Sequence, residues 1–337
     1  MALKTDVGDV VKKALNGEML AREEIAALVE VPPHTPESGR VMAAADRMCR
    51  LACDGKAEIH GQIGIDLSPC STNCSFCAFA AKNGVFTEKE ELPVEKVVEI
   101  ARRAESNGAN GIFVMSTGAY DFGKFITISQ HIRDSLRTDA TMIANVGDFD
   151  ADQARRLKDA GYAGIYHAVR MGEGEVTGIR PERRLETVRN AREAGLKVGT
   201  CVEPVGPEHS TEEIVEKTLI GRNMDPCYSG AMRRITIPGS ELAQHGMLSE
   251  YRGAYLVAVV RLAMGPDVPG NCTHEPNLLG ATAGANLFWA EVGSNPRDTE
   301  AETSAGRGKD VPACRDMFQE TDYELLQGAS AIYGEAG

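Results

Sequence analysis

A (β/α)8 barrel preceded by a helical segment is the fold that this 337-residue sequence predicts, and three observations predict it. Eight short apolar runs with strand character recur between residues 62 and 291. Longer stretches with apolar residues at helical spacing follow most of them. No GxGxxG follows any of the runs, so the main competitor, a doubly wound open sheet, has no direct support as a dinucleotide fold.

In chain order, residues 1–58 read as a helical extension and 59–337 as the barrel with its closing segment. Residues 9–15 and 22–29 carry helical periodicity, Pro32 and Pro33 interrupt it, and 38–51 resume it. Cys49 and Cys53, four apart near the end of that segment, read as two buried small residues rather than a metal site. The strand candidates are 62–67, 111–115, 141–145, 164–169, 197–202, 232–237, a weak 267–271, and 286–291. Helix candidates between them include 94–106, 150–160, 181–194, 211–222 and 249–264. Ser210 followed by Glu213 has the pattern of a capping box, and Pro181 suits a first helical position.

A net charge of −13 argues against a bulk nucleic-acid binder, which needs clustered lysine and arginine. The longest apolar runs, 112–115 and 255–260, are too short to span a bilayer. The first residues already carry Lys4, Asp6 and Asp9, unlike a signal peptide, so a cytoplasmic location is expected. Nine cysteines, an odd number in a large chain of this kind, favour metal ligation or catalysis over a disulfide framework.

Three of those cysteines stand out. Residues 65–80 read IDLSPCSTNCSFCAFA, which places Cys70, Cys74 and Cys77 in the spacing C-x3-C-x2-C just after the first strand. Three thiolates on one short loop can each take a different iron of a cubane cluster, leaving the fourth iron for a substrate or cofactor. Zinc sites normally combine two cysteine pairs into four closed ligands, and no second pair accompanies this loop. Phe76, beside the third cysteine, is suited to pack against an adenine.

At these residues the sequence resembles the radical S-adenosylmethionine (radical SAM) superfamily, whose signature C-x3-C-x-aromatic-C is matched by Cys70, Cys74, Phe76 and Cys77. The resemblance implies a [4Fe–4S] cluster whose open iron binds S-adenosylmethionine. It further implies reductive cleavage to methionine and a 5′-deoxyadenosyl radical that abstracts hydrogen from an unactivated C–H bond. Within the superfamily the chain resembles the biotin synthase-like branch, which also holds archaeal-type lipoyl synthases, hydrogenase maturases and methylornithine synthase. The features that carry this are the helical start, the run Ser116-Thr117-Gly118-Ala119, residues 183–198 (RRLETVRNAREAGLKV) and the late Gly284-Ala285-Asn286. By resemblance Gly118 contacts the methionine amino group, Arg170 and Glu173 (or Glu175, one register on) hold the ribose side, and Arg180 binds the methionine carboxylate.

The other cysteines bear on the reaction. Biotin synthase holds a second, sacrificial cluster with cysteines on its second, third and fifth strands. Here Ser116 and Met142 or Ile143 take the first two places, so that ligand pattern is absent. Cys201 lies on the fifth strand candidate, and Cys272 follows the seventh beside His274 and Glu275, in the barrel mouth. A second iron–sulfur cluster on Cys201 and Cys272, with Cys227 or Cys314, would make the chain a sulfur-inserting enzyme of lipoyl or biotin synthase type. Cys227 is expected at the opposite end of the barrel and Cys314 in a closing helix. Glu203 and one of Arg233 and Arg234 are further pocket candidates, the inward arginine suited to a substrate carboxylate.

The favoured expectation is sulfur insertion in cofactor biosynthesis on a small or carrier-bound molecule, with ferredoxin or flavodoxin as reductant and neither nucleic acid nor membrane as partner. The competing enzymatic reading is rearrangement or fragmentation of a small amino-acid-derived substrate with a single cluster. An iron–sulfur carrier is the non-enzymatic alternative, disfavoured because a carrier needs neither an open iron nor a barrel.

Overall fold

Helices begin where the sequence supplies an acceptor for otherwise unpaired N–H groups. Ser210 and Glu213 exchange the two hydrogen bonds of a capping box (3.3 and 2.8 Å) at the start of one helix, and Asp121, Asp150 and Thr35 cap others. The computed structural model describes residues 5–334. Three helices come first: α1 (Val7–Leu15), α2 (Arg22–Val29) and α3 (Pro36–Ala52). Tyr255 donates to the Leu28 carbonyl at 2.6 Å, Arg252 to Val29 at 2.7 Å and Arg222 to Leu20 at 2.8 Å, fastening this segment to the barrel's outer helices.

Eight parallel strands then form a closed barrel: β1 (Lys56–Gly64), β2 (Gly111–Met115), β3 (Thr141–Asn145), β4 (Tyr162–Tyr166), β5 (Lys197–Gly199, resumed at Val202–Val205), β6 (Tyr228–Arg233), β7 (Gly270–Cys272) and β8 (Leu287–Gly293). β1 pairs with both β2 (Gly64 opposite Met115) and β8 (Gly64 opposite Gly293), and β6 closes onto β7 with Gly230 opposite Cys272. The outer helices are α4 (Val94–Ser106), α5 (Phe122–Ser135), α6 (Ala151–Asp159), α7 (Pro181–Glu193), α8 (Thr211–Asn223), α9 (Glu250–Met264), the short α10 (Leu278–Thr282) and α11 (Val311–Gln319). None of the described helices is long and apolar enough to cross a membrane.

The predicted barrel is the observed one, with shifted strand bounds. β1 begins at Lys56, six residues before the expected start, because Glu58 and His60 are buried barrel residues rather than a polar approach to the strand. Their burial is met by a segment from far down the chain. Glu58 accepts from the N–H groups of Ala331 (2.8 Å) and Ile332 (3.0 Å) and from the Ser330 hydroxyl, so residues 330–333 stop the lower end of the barrel. Above this stopper, Phe113, Tyr166, Tyr228 and Trp289 pack as a ring-on-ring layer, with centroids 5.1–6.5 Å apart. Side chains fill the barrel from below, and the upper end is left for function.

Candidate active site

All eight strands deliver residues to one cavity of about 380 Å3 at their C-terminal ends. After β1 comes the cysteine loop, and Cys70, Cys74, Phe76 and Cys77 all line the cavity. The loop holds its own shape. Cys70 N–H donates to Phe79 O (2.7 Å), Ala81 N–H to Cys70 O (3.1 Å), and Asn83 Nδ2 to Cys77 O (2.8 Å). Asn73 takes a left-handed φ of 50° and receives Lys82 N–H on its side chain at 2.9 Å. Bonds to Val176 O (from Ser75, 2.8 Å) and Pro296 O (from Ala78, 2.8 Å) tie the loop across the mouth to the β4 and β8 sides.

Burial, together with the neighbouring Cys74 and Cys70, pushes the Cys77 thiol up to about 12, and burial raises Cys74 against the opposing pull of Arg170 and Arg184. Without a metal these thiols stay protonated at neutral pH, so metal binding would release protons.

Beside the loop, the turn after β2 brings Gly118 to the cavity. Asp66 holds it in place by accepting Thr117 N–H and Oγ1, both at 2.7 Å. A Cβ at Gly118 would lie 3.4 Å from Thr72 Oγ1 and 4.0 Å from Cys70 Sγ, inside the space the cysteines border. Arg170, after β4, reaches the cavity with its Nη1 buried and without a hydrogen-bond partner among the described residues.

The family model of the radical SAM superfamily matches residues 68–219, the span that contains the cysteine loop. Curated biotin synthases from Picosynechococcus sp. (26% identical, covering 78% of this chain and 75% of that protein) and Hyphomonas neptunium (29%, 72% and 76%) align over most of the sequence. Residues 68–219 thus match a radical SAM domain, and over most of its length the chain is similar to biotin synthases. Among solved structures, methylornithine synthase (TM-score 0.79, 16% identical, covering 94% of this chain and 97% of that one) shares the fold. So does the FeFe-hydrogenase maturase HydG from Carboxydothermus hydrogenoformans (0.78, 17%, 98% and 81%).

The radical SAM domain match and the similarity to biotin synthases imply a [4Fe–4S] cluster and S-adenosylmethionine. The donor set fits both: three thiols on one loop, a side-chain-free turn beside them, and a guanidinium with one buried, unpartnered nitrogen at the same space.

Two expected contacts are corrected. Arg180 is exposed at the start of α7 and does not line the cavity, because Pro181 begins the helix and turns its N-cap outward. Glu173 sits behind the wall, its side chain fully buried. It accepts Arg170 N–H (3.0 Å), Thr177 Oγ1 (2.7 Å) and Arg184 Nε (3.2 Å). Glu175 is exposed. The groups that do reach the cavity there were missed: Arg184, one turn into α7, and Asp148, after β3, joined by a 3.1 Å ion pair. No local motif marks either of them, since their partnership spans 36 residues.

Asp148 also accepts from His167 Nε2 (2.9 Å) and Thr187 Oγ1 (2.9 Å). Burial works to raise its carboxyl, but the His167 bond and the charge of Arg184 hold it well below the usual carboxylate range. Burial pushes His167 down to about 4 despite the bond to Asp148. A pH dependence follows. Between about 6.5 and 4 the unfolded histidine takes up a proton that the native ring refuses, so native stability, full above 6.5, falls with falling pH. Urea unfolding is expected to lose about 2 kcal/mol of stability from pH 7.5 to pH 5, and His167→Gln should flatten the trend. A midpoint that does not move over this range contradicts the assignment.

On the opposite side of the mouth, Cys201 lies at the break in β5 and Cys272 ends β7. Their thiols and a ring nitrogen of His274, which is two residues after Cys272, all lie within 4.8 Å of one another, and all three residues are buried. Among the described residues no other set of three histidine, cysteine or carboxylate groups converges so closely, the loop cysteines included. Cys227 is at the lower end, where burial pushes it up to about 12, and Cys314 is buried in α11. Neither joins the pair.

Glu203 lines the cavity 3.3 Å from His274 Nδ1 and 3.6 Å from Arg170, and Tyr166 donates its hydroxyl to it. Arg297, missed by the sequence reading, lines the cavity and donates to His274 Nδ1 (3.1 Å), Met232 Sδ (3.3 Å) and Glu291. Burial, aided by the charges of Arg297 and Arg170, holds His274 well below its usual range and therefore neutral. The Arg233–Arg234 pair divides as strand alternation requires, but neither is free: Arg233 binds Glu275 (2.6 Å), and Arg234, though it lines the cavity, is taken by Glu208.

Proposed function

We propose that this protein is a cytoplasmic radical SAM enzyme of cofactor biosynthesis that inserts sulfur at an unactivated carbon of a small or carrier-bound molecule, as lipoyl and biotin synthases do. Cys70, Cys74 and Cys77 would hold the [4Fe–4S] cluster, while Phe76, Gly118 and Arg170 would contact S-adenosylmethionine. When bound, that pair supplies a 5′-deoxyadenosyl radical able to take hydrogen from carbon. The chain's own part is positional. Met232, Tyr166 and Trp289, all buried, line a mouth that keeps water from the reacting carbon, and Arg170 and Arg297 offer positive charge to an anionic group. Electrons would come from a ferredoxin or flavodoxin.

The observation that supports sulfur insertion over other radical chemistry is the meeting of Cys201 and Cys272 beside the same cavity, where a sulfur-bearing group could be held. A second reading, rearrangement or fragmentation of an amino-acid-like substrate, draws on the opposed charges of Arg170, Arg297 and Glu203 at the cavity wall, which suit a zwitterion. Labelled sulfide separates the two. Protein reconstituted anaerobically with isotopically labelled sulfide, then given S-adenosylmethionine, dithionite and an octanoyl-lysine peptide or dethiobiotin, is expected to deliver label into the product. Label that stays with the protein while 5′-deoxyadenosine accumulates in the presence of an amino acid sinks the sulfur reading.

A further inference from the structure

The sequence marks Cys201 and Cys272 as separate candidates on different strands; the fold adds a third donor and a supporting group. His274 follows Cys272 by two residues, just past the end of β7, and its ring comes back to the two thiols while lining the cavity. The two ring nitrogens have different surroundings. Nδ1 lies 3.3 Å from the Glu203 carboxyl group and also receives Arg297 Nη1 at 3.1 Å, while Nε2 is buried with no hydrogen-bond partner among the described residues. A metal on Nε2 would place the ring proton on Nδ1, where it can be donated to the Glu203 carboxylate that fixes the ring and raises its basicity, with Arg297 giving up its bond to Nδ1 and keeping those to Met232 and Glu291. Glu203 is itself oriented by the Tyr166 hydroxyl and by Arg170. Of the eleven buried side-chain nitrogen and oxygen atoms without a partner among the described residues, His274 Nε2 is the one whose residue converges with two cysteines.

We propose that Cys201, Cys272 and His274 bind one Fe2+ or Zn2+ ion, with Glu203 as the positioning residue behind His274 and a fourth position open to the cavity. Three donors within 4.8 Å of one another suit the first shell of a single metal atom. Two thiolates and an imidazole select the zinc and iron class. Three protein ligands with one vacancy is the pattern of a reactive rather than a structural site. His274 is the one member that lines the cavity wall, so access runs past its side. On the sulfur-insertion reading, on which this last point rests, the open position is where sulfide would sit.

The test uses the full chain with Cys70, Cys74 and Cys77 all changed to alanine, loaded anaerobically with Co2+ as a spectroscopic probe and, separately, with Fe2+ and sulfide. One tightly held cobalt per chain with thiolate-to-cobalt absorption is expected. Cys272→Ala should lower that absorption, and His274→Ala should weaken binding at least tenfold while His274→Cys restores it. Glu203→Gln should weaken it by about 10–100-fold. The same His274 and Cys272 changes made in the otherwise unaltered chain, followed as metal bound beyond the loop cluster, cover the case in which the triple variant does not fold. A folded chain that binds no metal overturns the site, whatever the labelled-sulfide experiment shows. Metal bound without labile sulfide in the iron-loaded sample supports the site and counts against sulfur insertion. Metal bound together with sulfide supports both.

Discussion

Cys74→Ala is expected to abolish S-adenosylmethionine cleavage, leaving 5′-deoxyadenosine at the level of a blank without protein. The loop supplies three thiols and nothing else nearby replaces one. The remaining cysteines of the mouth, Cys201 and Cys272, converge with His274 elsewhere and do not join the loop group. The loss should be chemical and not structural. Cys74 is only half-buried, and its loop is closed by the Phe79, Ala81 and Asn83 bonds, none of which involves the Cys74 side chain. Unfolding should therefore shift by less than about 0.5–1 kcal/mol, while iron after reconstitution drops by about four per chain. Cys53→Ala, outside the barrel in the α3 cap, is the matched control and should cleave normally. Cleavage by the Cys74 variant would refute the assignment of the loop.

Arg184→Ala is expected to be among the most destabilising single changes in the chain. Arg184 is buried between two carboxyl groups, donating to Glu173 from Nε and Nη2 (3.2 and 3.4 Å) and to Asp148 from Nη1 (3.1 Å). Removing it leaves the fully buried Glu173 and the partly buried Asp148 without this cation, and breaking such a pair costs about 3–5 kcal/mol, far more than the intact network adds over an apolar one. Lysine should not rescue it, because a single ammonium cannot reproduce a fork shared by two acids. The damage should extend to function, since Glu173 also fixes the Arg170 backbone at 3.0 Å. A fall in the urea midpoint at constant slope measures the effect, and the double variant Arg184→Met with Glu173→Gln should recover part of it. A midpoint within 0.5 kcal/mol of the parent would mean that the network carries little of the wall's stability.

The barrel was legible because its signals are local. β2 and β3 coincide with the apolar runs that predicted them, α4 spans the predicted 94–106, and α8 begins where Ser210 places it. The shifted bounds of β1 and β6 go with polar residues inside the barrel. Glu58 and His60 hid the start of β1, and β6 ends at Arg233 because that arginine and its neighbour leave the sheet for Glu275 and Glu208. α5 did not stand out, as its β-branched isoleucines and threonine weaken the helical pattern that Asp121 nonetheless caps at 2.7 Å.

At the site, the cysteine loop is a short motif and was readable as such. His274 was noticed but not joined to Cys201, because the two come from strands 73 positions apart and only closure of the barrel brings them together. Arg297 and Arg184 carry no signature at all. Each is an ordinary charged residue until long-range packing turns it inward.

The stopper at the lower end of the barrel has a consequence for how the chain is made. Ser330, Ala331 and Ile332 satisfy Glu58 across sequence separations of 272, 273 and 274. At ribosomal rates of about 5–20 residues per second, β1 emerges roughly 15–50 s before these partners exist. For that interval the acid at the base of the nascent barrel is unsatisfied, and until β8 (Leu287–Gly293) emerges β1 also has an unpaired edge, a state prone to edge-to-edge association. Closure of the barrel's base is therefore a late event that must wait for residues 330–332.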